Sequence, residues 1–598
     1  MQDDKLIEHN RSIVVAIDFG TTYSGYAYCK HVDYRKNPAN PIIHCNQWIG
    51  ETFVKAKAPT CVLFDPDKKF HSFGYDAIKY YNESREKVDL TKWYYFEHFK
   101  MMLYKEKDLT TETYLEESLN IENKKRRKKM KAVEVFAAVI NFFKEQLLGG
   151  LTNSSNTWFT EKHVQWVITV PAIWDMKAKQ FMRDSAKKAG IPHDQLSLAL
   201  EPEVASLHCR RVPVGIETEG DGRKIIATMN VGSKYIVLDQ GGGTTDIAVH
   251  EVTGENTLRE IHQACGGDWG GITVNNEFYK FLEEIFGKDV VNAVKESSPS
   301  AYFDLLHVFE HTKTTFKIED VSNGEGLTTL RIPVEWMEKF KLLKGSSLTE
   351  HIKKSNFKGR VIVKRDIMRL RNNLFRTFFD YSIEHVTQEL NNLLLKAELS
   401  DVKTLLIVGG HSESTVLTEA IKNKFKHLDI VVPKEPSLAV LKGAVLFGFE
   451  PEMITSRVSR FTLGVQTRIR FKEGVHSPSL KPNLVDGYIK DVFDKHVEIG
   501  QTVKVGENEY LPEHDYVPLY KDQKAVDFEF FETLSKNPEY TTDEGCRCIG
   551  SLYFKLTEGM SDKNVMALKI NVGGTELVAY VTEKATGKTS KGYFRLPK

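Results

Sequence analysis

Ile13-Val14-Val15-Ala16-Ile17-Asp18-Phe19-Gly20-Thr21-Thr22 and, far downstream, Ile236-Val237-Leu238-Asp239-Gln240-Gly241-Gly242-Gly243-Thr244-Thr245-Asp246 share one construction. In each, a short apolar run reads as a buried strand that enters a polar glycine turn, with Asp at its head and Thr beyond the glycine. Ile247-Ala248-Val249 continues the second turn as a returning strand. A third unit, Leu405-Leu406-Ile407-Val408, ends at Gly409-Gly410. Three such units predict a duplicated α/β architecture in which each half presents a phosphate-facing turn at the end of a central strand.

The stretches between them carry the helical period. Val133, Phe136, Val139, Ile140, Phe143 and Leu147 fall on one helical face, and residues 366–395 read the same way through Leu370, Leu374, Phe378, Tyr381 and Val386. After about Pro451 the texture changes. Residues 497–505, 527–531, 550–556 and 565–581 alternate apolar and polar positions between glycine turns. The expected organisation is one α/β lobe over 1–235, a second over 236–455, a connector at 456–465 and a β-rich domain over 466–598.

The 598 residues exceed a single hydrophobic core. With 41% hydrophobic and 27% charged residues the chain reads as globular rather than disordered. Lys plus Arg is 82 and Asp plus Glu is 81, a net charge of +1 that gives no reason to expect nucleic acid as partner. No run is long and apolar enough to span a bilayer, and Met1-Gln2-Asp3-Asp4-Lys5 lacks the apolar core of a secretory signal. The seven cysteines are odd in number and scattered, which predicts free thiols and a cytoplasmic compartment. Cys546 and Cys548 read as ordinary strand thiols, since no second pair at zinc spacing accompanies them. Lys124-Lys125-Arg126-Arg127-Lys128-Lys129 reads as a solvated loop before a helix; a nuclear-import or anionic-surface patch is the alternative.

Nucleotide phosphates demand backbone N–H groups at close range, which glycine turns supply, and their magnesium demands carboxylates. No Gly-x-x-x-x-Gly-Lys-[Ser/Thr] loop is present. The turns headed by Asp18 and Asp239 can build such a site jointly, each setting a carboxylate beside N–H and hydroxyl donors; two unrelated hairpins are the bland alternative.

Ile17-Asp18-Phe19-Gly20-Thr21-Thr22-Tyr23-Ser24 closely resembles the first phosphate loop of the 70-kilodalton heat-shock chaperones, and Leu238 to Asp246 resembles their second. Val170-Pro171-Ala172, Gln180, Ala186-Lys187-Lys188-Ala189-Gly190 and Glu201-Pro202 resemble the stretch between, and Gly266-Gly267-Asp268-Trp269-Gly270-Gly271 and Ile407-Val408-Gly409-Gly410 the adenosine-contacting segments. The order matches over residues 13 to 448. Glu201-Pro202-Glu203-Val204-Ala205-Ser206 and the unusual connector point to the divergent "member 12" branch. The resemblance implies a two-lobed actin-like ATPase domain of duplicated ribonuclease-H-like halves that binds ATP or ADP with Mg2+ and hydrolyses it slowly, with a polypeptide client or regulatory protein as partner. It implies that Asp18 and Asp239 hold hydrated magnesium and Asp246 supports that shell. Lys100 would face the γ-phosphate, and Glu201 would orient the attacking water or act as base. Gly20, Thr21, Thr22, Tyr23, Gly241, Gly242, Gly243 and Thr244 would surround the phosphates. Gly270, Glu310, Lys313, Lys317, Gly409, Gly410 and Glu413 would lie at the nucleoside.

Three positions depart from the family pattern. Lys317 stands where the family has Ser, Glu413 where an Arg packs on the base, and Ser437 where an acidic residue stands. These changes predict intact phosphate chemistry beside an altered base pocket. Residues 528–532, 550–554, 568–572, 577–581 and 584–588 resemble, more weakly, strands of the family's peptide-binding β-sandwich. The chain stops at Lys598, so the helical lid that follows in the family is expected to be absent. Ser456-Arg457-Val458-Ser459-Arg460 replaces the acidic, leucine-rich linker, and two Arg residues in place of apolar ones are not expected to dock in the same way.

Overall fold

The computed structural model describes residues 11–50, 54–84, 88–118, 128–154, 160–211, 229–317, 326–474, 476, 484–485, 487–506, 508–520, 523–557 and 564–596. Two mixed sheets organise the first three quarters of the chain. The first runs in the order Leu196–Leu200, Val164–Val170, Ile13–Asp18, Tyr23–Lys30, His44–Cys45. Ile13–Asp18 pairs antiparallel with Tyr23–Lys30 and parallel with Val164–Val170, which pairs parallel with Leu196–Leu200. The second runs Asp429–Val431, Thr404–Val408, Lys234–Gln240, Thr245–Val252, Leu258–Gly267, Ile454–Val458, Thr502–Lys504. There Lys234–Gln240 pairs antiparallel with Thr245–Val252 and parallel with Thr404–Val408. Each sheet therefore sets an Asp-headed hairpin against two parallel strands, and the repeat read from the two turns is a repeat of topology.

The central strands are mostly apolar because both faces are covered. Ile13, Val15 and Ile17 point into one cluster with Phe136, Phe143 and Phe181 from the helices Ala132–Ser154 and Met176–Lys188. Val14 and Ala16 point into another, with Val204, Leu207, Leu441 and Val445 from the helices Glu201–Arg211 and Ala439–Phe449. That second cluster also holds Tyr235, Val237, Leu406 and Val408, so these two helices lie between the sheets and join them.

A further unit packs Ile272–Phe286, Lys288–Ser297 and Pro299–Thr315 on a three-stranded sheet of Leu327–Arg331, Ile367–Arg371 and Val361–Lys364. Here the helical expectation for residues 366–395 needs correction. Ile367–Arg371 is a strand, because Ile367-Met368-Arg369-Leu370-Arg371 alternates and finds partners on both sides; the helices are Asn372–Arg376 and Asp380–Leu394.

Among the described residues the regular elements of the C-terminal region are all β-strands. One sheet runs Leu484–Val485, Tyr488–Val497, Thr462–Arg470, Ala525–Thr533, Arg547–Lys555, and the other His514–Tyr516, Met566–Asn571, Val578–Glu583, Lys588–Tyr593. Val465, Phe530 and Ile549 of the first share a cluster with Leu568, Ile570 and Val581 of the second. Of the expected connector 456–465, Ser456–Val458 ends a strand of the second α/β sheet and Thr462–Val465 opens the C-terminal one. Its arginines dock through polar contacts. Arg457 forks onto Glu203 at 2.6 and 2.7 Å, and Arg460 donates to the Ala172 carbonyl at 3.1 Å. Arg183 pairs with Glu576, and Arg547 reaches Asp175 at 3.0 Å and Glu532 at 2.6 Å, which ties the β region to the first lobe.

All seven cysteines are free. Of the basic run, Lys124 to Arg127 lie outside the described residues; Lys128 donates to the Thr91 carbonyl and Lys129 pairs with Glu116. Among the described residues no helix is long and apolar enough to cross a membrane.

Candidate functional site

Asp18 is the last residue of its strand, and Phe19 fixes the turn by stacking on Phe136 at 5.3 Å. Thr60 donates to the Gly20 carbonyl at 2.8 Å, and Thr169 donates to Asp18 Oδ1 at 3.0 Å. The second turn closes through Gly241 N–H on the Thr244 carbonyl at 3.0 Å. It is strapped from behind by Gly270, Gly271 and Ile272, whose N–H groups reach the carbonyls of Gly243, Gly241 and Gly242. The two turns touch. A Cβ on Gly242 would lie 2.0 Å from Thr22 Oγ1, and one on Gly243 would lie 2.5 Å from Thr21 Oγ1, so only glycine fits at either position.

Between the turns lies a cleft of ≈ 350 Å³. Asp18, Gly20, Thr21, Thr22 and Tyr23 line it from the first lobe with Lys100 and Glu201. Asp239, Gly241, Gly242, Gly243, Thr244, Glu310, Lys313, Gly409, Gly410, Glu413 and Ser437 line it from the second. Three expected residues do not. Asp246 is buried behind the turn, where its Oδ1 accepts the Ile173 N–H at 2.9 Å. Gly270 packs under the second turn, leaving Gly271 at the surface of the cleft. Lys317 is exposed and off the wall, because the helix that should carry it ends at Thr315 and Phe316 is extended.

The chemistry concentrates at one end. Lys100, only 3% exposed, holds Glu201 Oε1 at 2.7 Å and stands 5.1 Å from the centre of the Trp174 ring. Burial raises Glu201 to about 7 against the pull of Lys100, with Asp246 and Asp18 adding to the rise. Burial, then Glu201, Asp246 and Asp18, hold Asp239 well above the usual carboxylate range. Asp18 and Asp239 both present carboxylates to the cleft, the oxygen donors that a hydrated Mg2+ takes, so the residues fit that ion.

At the other end Lys313 meets Glu310 at 2.7 Å and Asn275 at 2.9 Å. Burial opposes the charge on Glu310, but Lys313 and Asn275 together pull its carboxyl below the usual value. His411, buried and pushed down to about 3 by burial and by Lys313, backs this wall, while Glu413 is exposed at the rim.

Sequence reasoning included Gly271 only as part of the adenosine-contacting segment and gave no role to Lys55, Lys57 or His411, all in the lining. Lys57 matters most. Its ammonium lies 2.5 Å from Asp18 Oδ2 and 2.6 Å from the Ser437 carbonyl, so it spans the cleft. The signal was the pair Lys55-x-Lys57 just before Ala58-Pro59-Thr60, two cations on one face of an extended segment.

Two lobes that each bring an Asp-headed glycine turn to a common cleft define the actin-like class of ATPase domain. The chain belongs to the Hsp70 family: residues 14–473 match the family described as Hsp70 protein. It is 34% identical to heat shock 70 kDa protein 12A of Homo sapiens over 97% of this chain and 90% of that protein. It is 33% identical to heat shock 70 kDa protein 12B of Homo sapiens over 91% of this chain and 84% of that one. Chaperone protein DnaK of Stenotrophomonas maltophilia is 25% identical over 57% of this chain and 46% of its own length. Family members are ATPases that bind ATP and ADP with Mg2+, and membership implies polypeptide partners.

Proposed function

We propose that this chain binds Mg2+·ATP in the cleft between its turns, hydrolyses it slowly, and uses the nucleotide state to gate contact with a polypeptide. The observation that carries the reading is the meeting of Asp18, Asp239, Glu201 and Lys100 at one end of the cleft, beside turns that touch. Asp18 and Asp239 hold the hydrated metal, which supplies charge neutralisation at the phosphates when bound. Thr21, Thr22, Gly242, Gly243 and Thr244 position the phosphates. Lys100 meets the charge that develops on the transferred group, and Glu201, held by Lys100, orients or deprotonates water. Asp246 acts from behind the turn. On this reading the actin-like domain has lobes at 1–235 and 236–455 built of ribonuclease-H-like halves, and the two C-terminal sheets form a β-sandwich that takes the polypeptide. Arg457 and Arg460 carry the nucleotide state to it, since Arg460 holds Ala172 and the adjoining Ile173 holds Asp246.

Lys57 favours a second reading, a nucleotide-dependent scaffold or sensor with little turnover, because an ammonium on Asp18 competes with a metal shell. Steady-state phosphate release, with and without added peptide, beside calorimetric titration of ATP, ADP and GTP in magnesium buffer, separates the two. Tight ATP binding with no phosphate release selects the scaffold; absence of ATP and ADP binding sinks both.

A further inference from the structure

Outside the cleft, Asp494 and His496 alternate on the Tyr488–Val497 strand and share a face; His514 and Tyr516 do the same on the short strand at the edge of the other C-terminal sheet. The four side chains meet across the sheets. Tyr516 donates to Asp494 Oδ2 at 2.6 Å, and His514 Nδ1 lies 2.9 Å from the same oxygen. Having given its only proton to Asp494, the Tyr516 oxygen accepts from His496 Nε2 at 2.9 Å. That assignment leaves His496 Nδ1 as a bare acceptor. The residue is only 6% exposed, and among the described residues this nitrogen meets no hydrogen-bond partner. An unpaired buried acceptor costs stability that an ion on its lone pair would recover. A donor atom from each of Asp494, His496 and His514 falls within 4.8 Å of the others, and the two imidazoles stack at 3.9 Å. Ligands on a zinc ion with bonds of about 2 Å stand roughly 3.4 Å apart, so small side-chain rotations close the set.

We propose that Asp494, His496 and His514 bind one divalent transition-metal ion of the Zn2+ class, which pins the two C-terminal sheets together, with Tyr516 orienting the carboxylate. Two imidazoles and one carboxylate suit Zn2+, and not Mg2+ or Ca2+, which take oxygen. Asp494 and His514 are partly exposed, which gives the ion a path of entry. The phenol on Asp494 is the outer partner that such ligands use.

The full chain, stripped with a chelator, is titrated with Zn2+ against a chromophoric competitor, and in parallel with Co2+ while ligand-field absorption is followed. We expect the wild type to take up one more Zn2+ than His514→Gln or Asp494→Asn, or to hold it at least ~100-fold more tightly. Asp18→Asn should keep that ion, which separates it from the cleft. His496 is buried and its variants risk unfolding, so the two partly exposed positions carry the test. The assignment is overturned if the wild type binds no Zn2+, if both variants bind it as tightly as the wild type, or if the Co2+ spectrum shows thiolate ligation, which would point to Cys546 and Cys548.

Discussion

At the scale of single residues, two of the lysines that line the cleft, Lys100 and Lys57, are expected to act in opposite directions on the proposed reaction. Lys100 is buried against Glu201, so Lys100→Met should cut phosphate release by at least ~10-fold while ATP affinity falls far less, because a cation at the transferring group acts on developing charge. A loss confined to affinity, read by calorimetry beside phosphate release, would count against that role. Lys57 sits on Asp18, so Lys57→Met should lower the Mg2+ concentration that half-saturates ATP binding; an unchanged Mg2+ titration would show that the ammonium leaves Asp18 once nucleotide arrives. The phosphate end was legible in the sequence because glycine turns headed by Asp are dense and local. Lys57 was not, because its significance lies in reaching the Ser437 carbonyl of the other lobe, a contact that no local spacing encodes. Lys317, which the family resemblance implied at the nucleoside, stands two residues beyond Thr315, where its helix ends.

At the scale of elements, the two turns are matched surfaces as well as ligand sets. Gly242→Ala would drive a methyl into Thr22, whose Oγ1, Cγ2 and Cβ all stand within 2.9 Å of the new atom. Overpacking of this kind costs about 1–3 kcal/mol, and because it separates the turns we expect nucleotide affinity to fall at least ~10-fold with the fold retained. Fluorescent-nucleotide titration beside far-ultraviolet circular dichroism checks this; full affinity would mean that the turns part without consequence. Strands and buried helices were legible where one period ran unbroken, as in Ile13–Asp18 and Ala132–Ser154. They were misread where periods abut, as at Leu370, which fits a helical and an alternating pattern equally well until Met368 and Leu330 are seen paired.

At the scale of the whole molecule, buried ions join the β region to the first lobe. Glu576→Leu strands the Arg183 guanidinium, which should cost about 3–5 kcal/mol in urea unfolding, and Arg183→Met should recover much of it in the double variant. Additive losses would rule the pairing out. Glu532 is expected to give this junction a pH dependence. Burial, with Asp175 beside it, raises its carboxyl to about 7 against the pull of Arg547. A folded-state value above the unfolded 4.5 means that its stabilisation is complete below 4.5 and is lost as pH rises through 7. The melting temperature of the wild type should therefore fall more steeply than that of Glu532→Gln between those limits; parallel curves would place the titration elsewhere.

Thr502–Lys504 hydrogen-bonds to Ile454–Val458 and so forms the last strand of a sheet whose other members lie at 234–458. During synthesis that sheet waits, its margin bare, until a segment from beyond the Thr462–Arg470 strand has left the ribosome. A chain cut at 465 would keep every cleft residue and still expose Ile454–Val458 as a free margin, ready to pair with its copy in a second molecule. Such a truncated ATPase half should sediment as dimers and larger species at micromolar concentration, to a greater extent than the full chain, which supplies the partner strand.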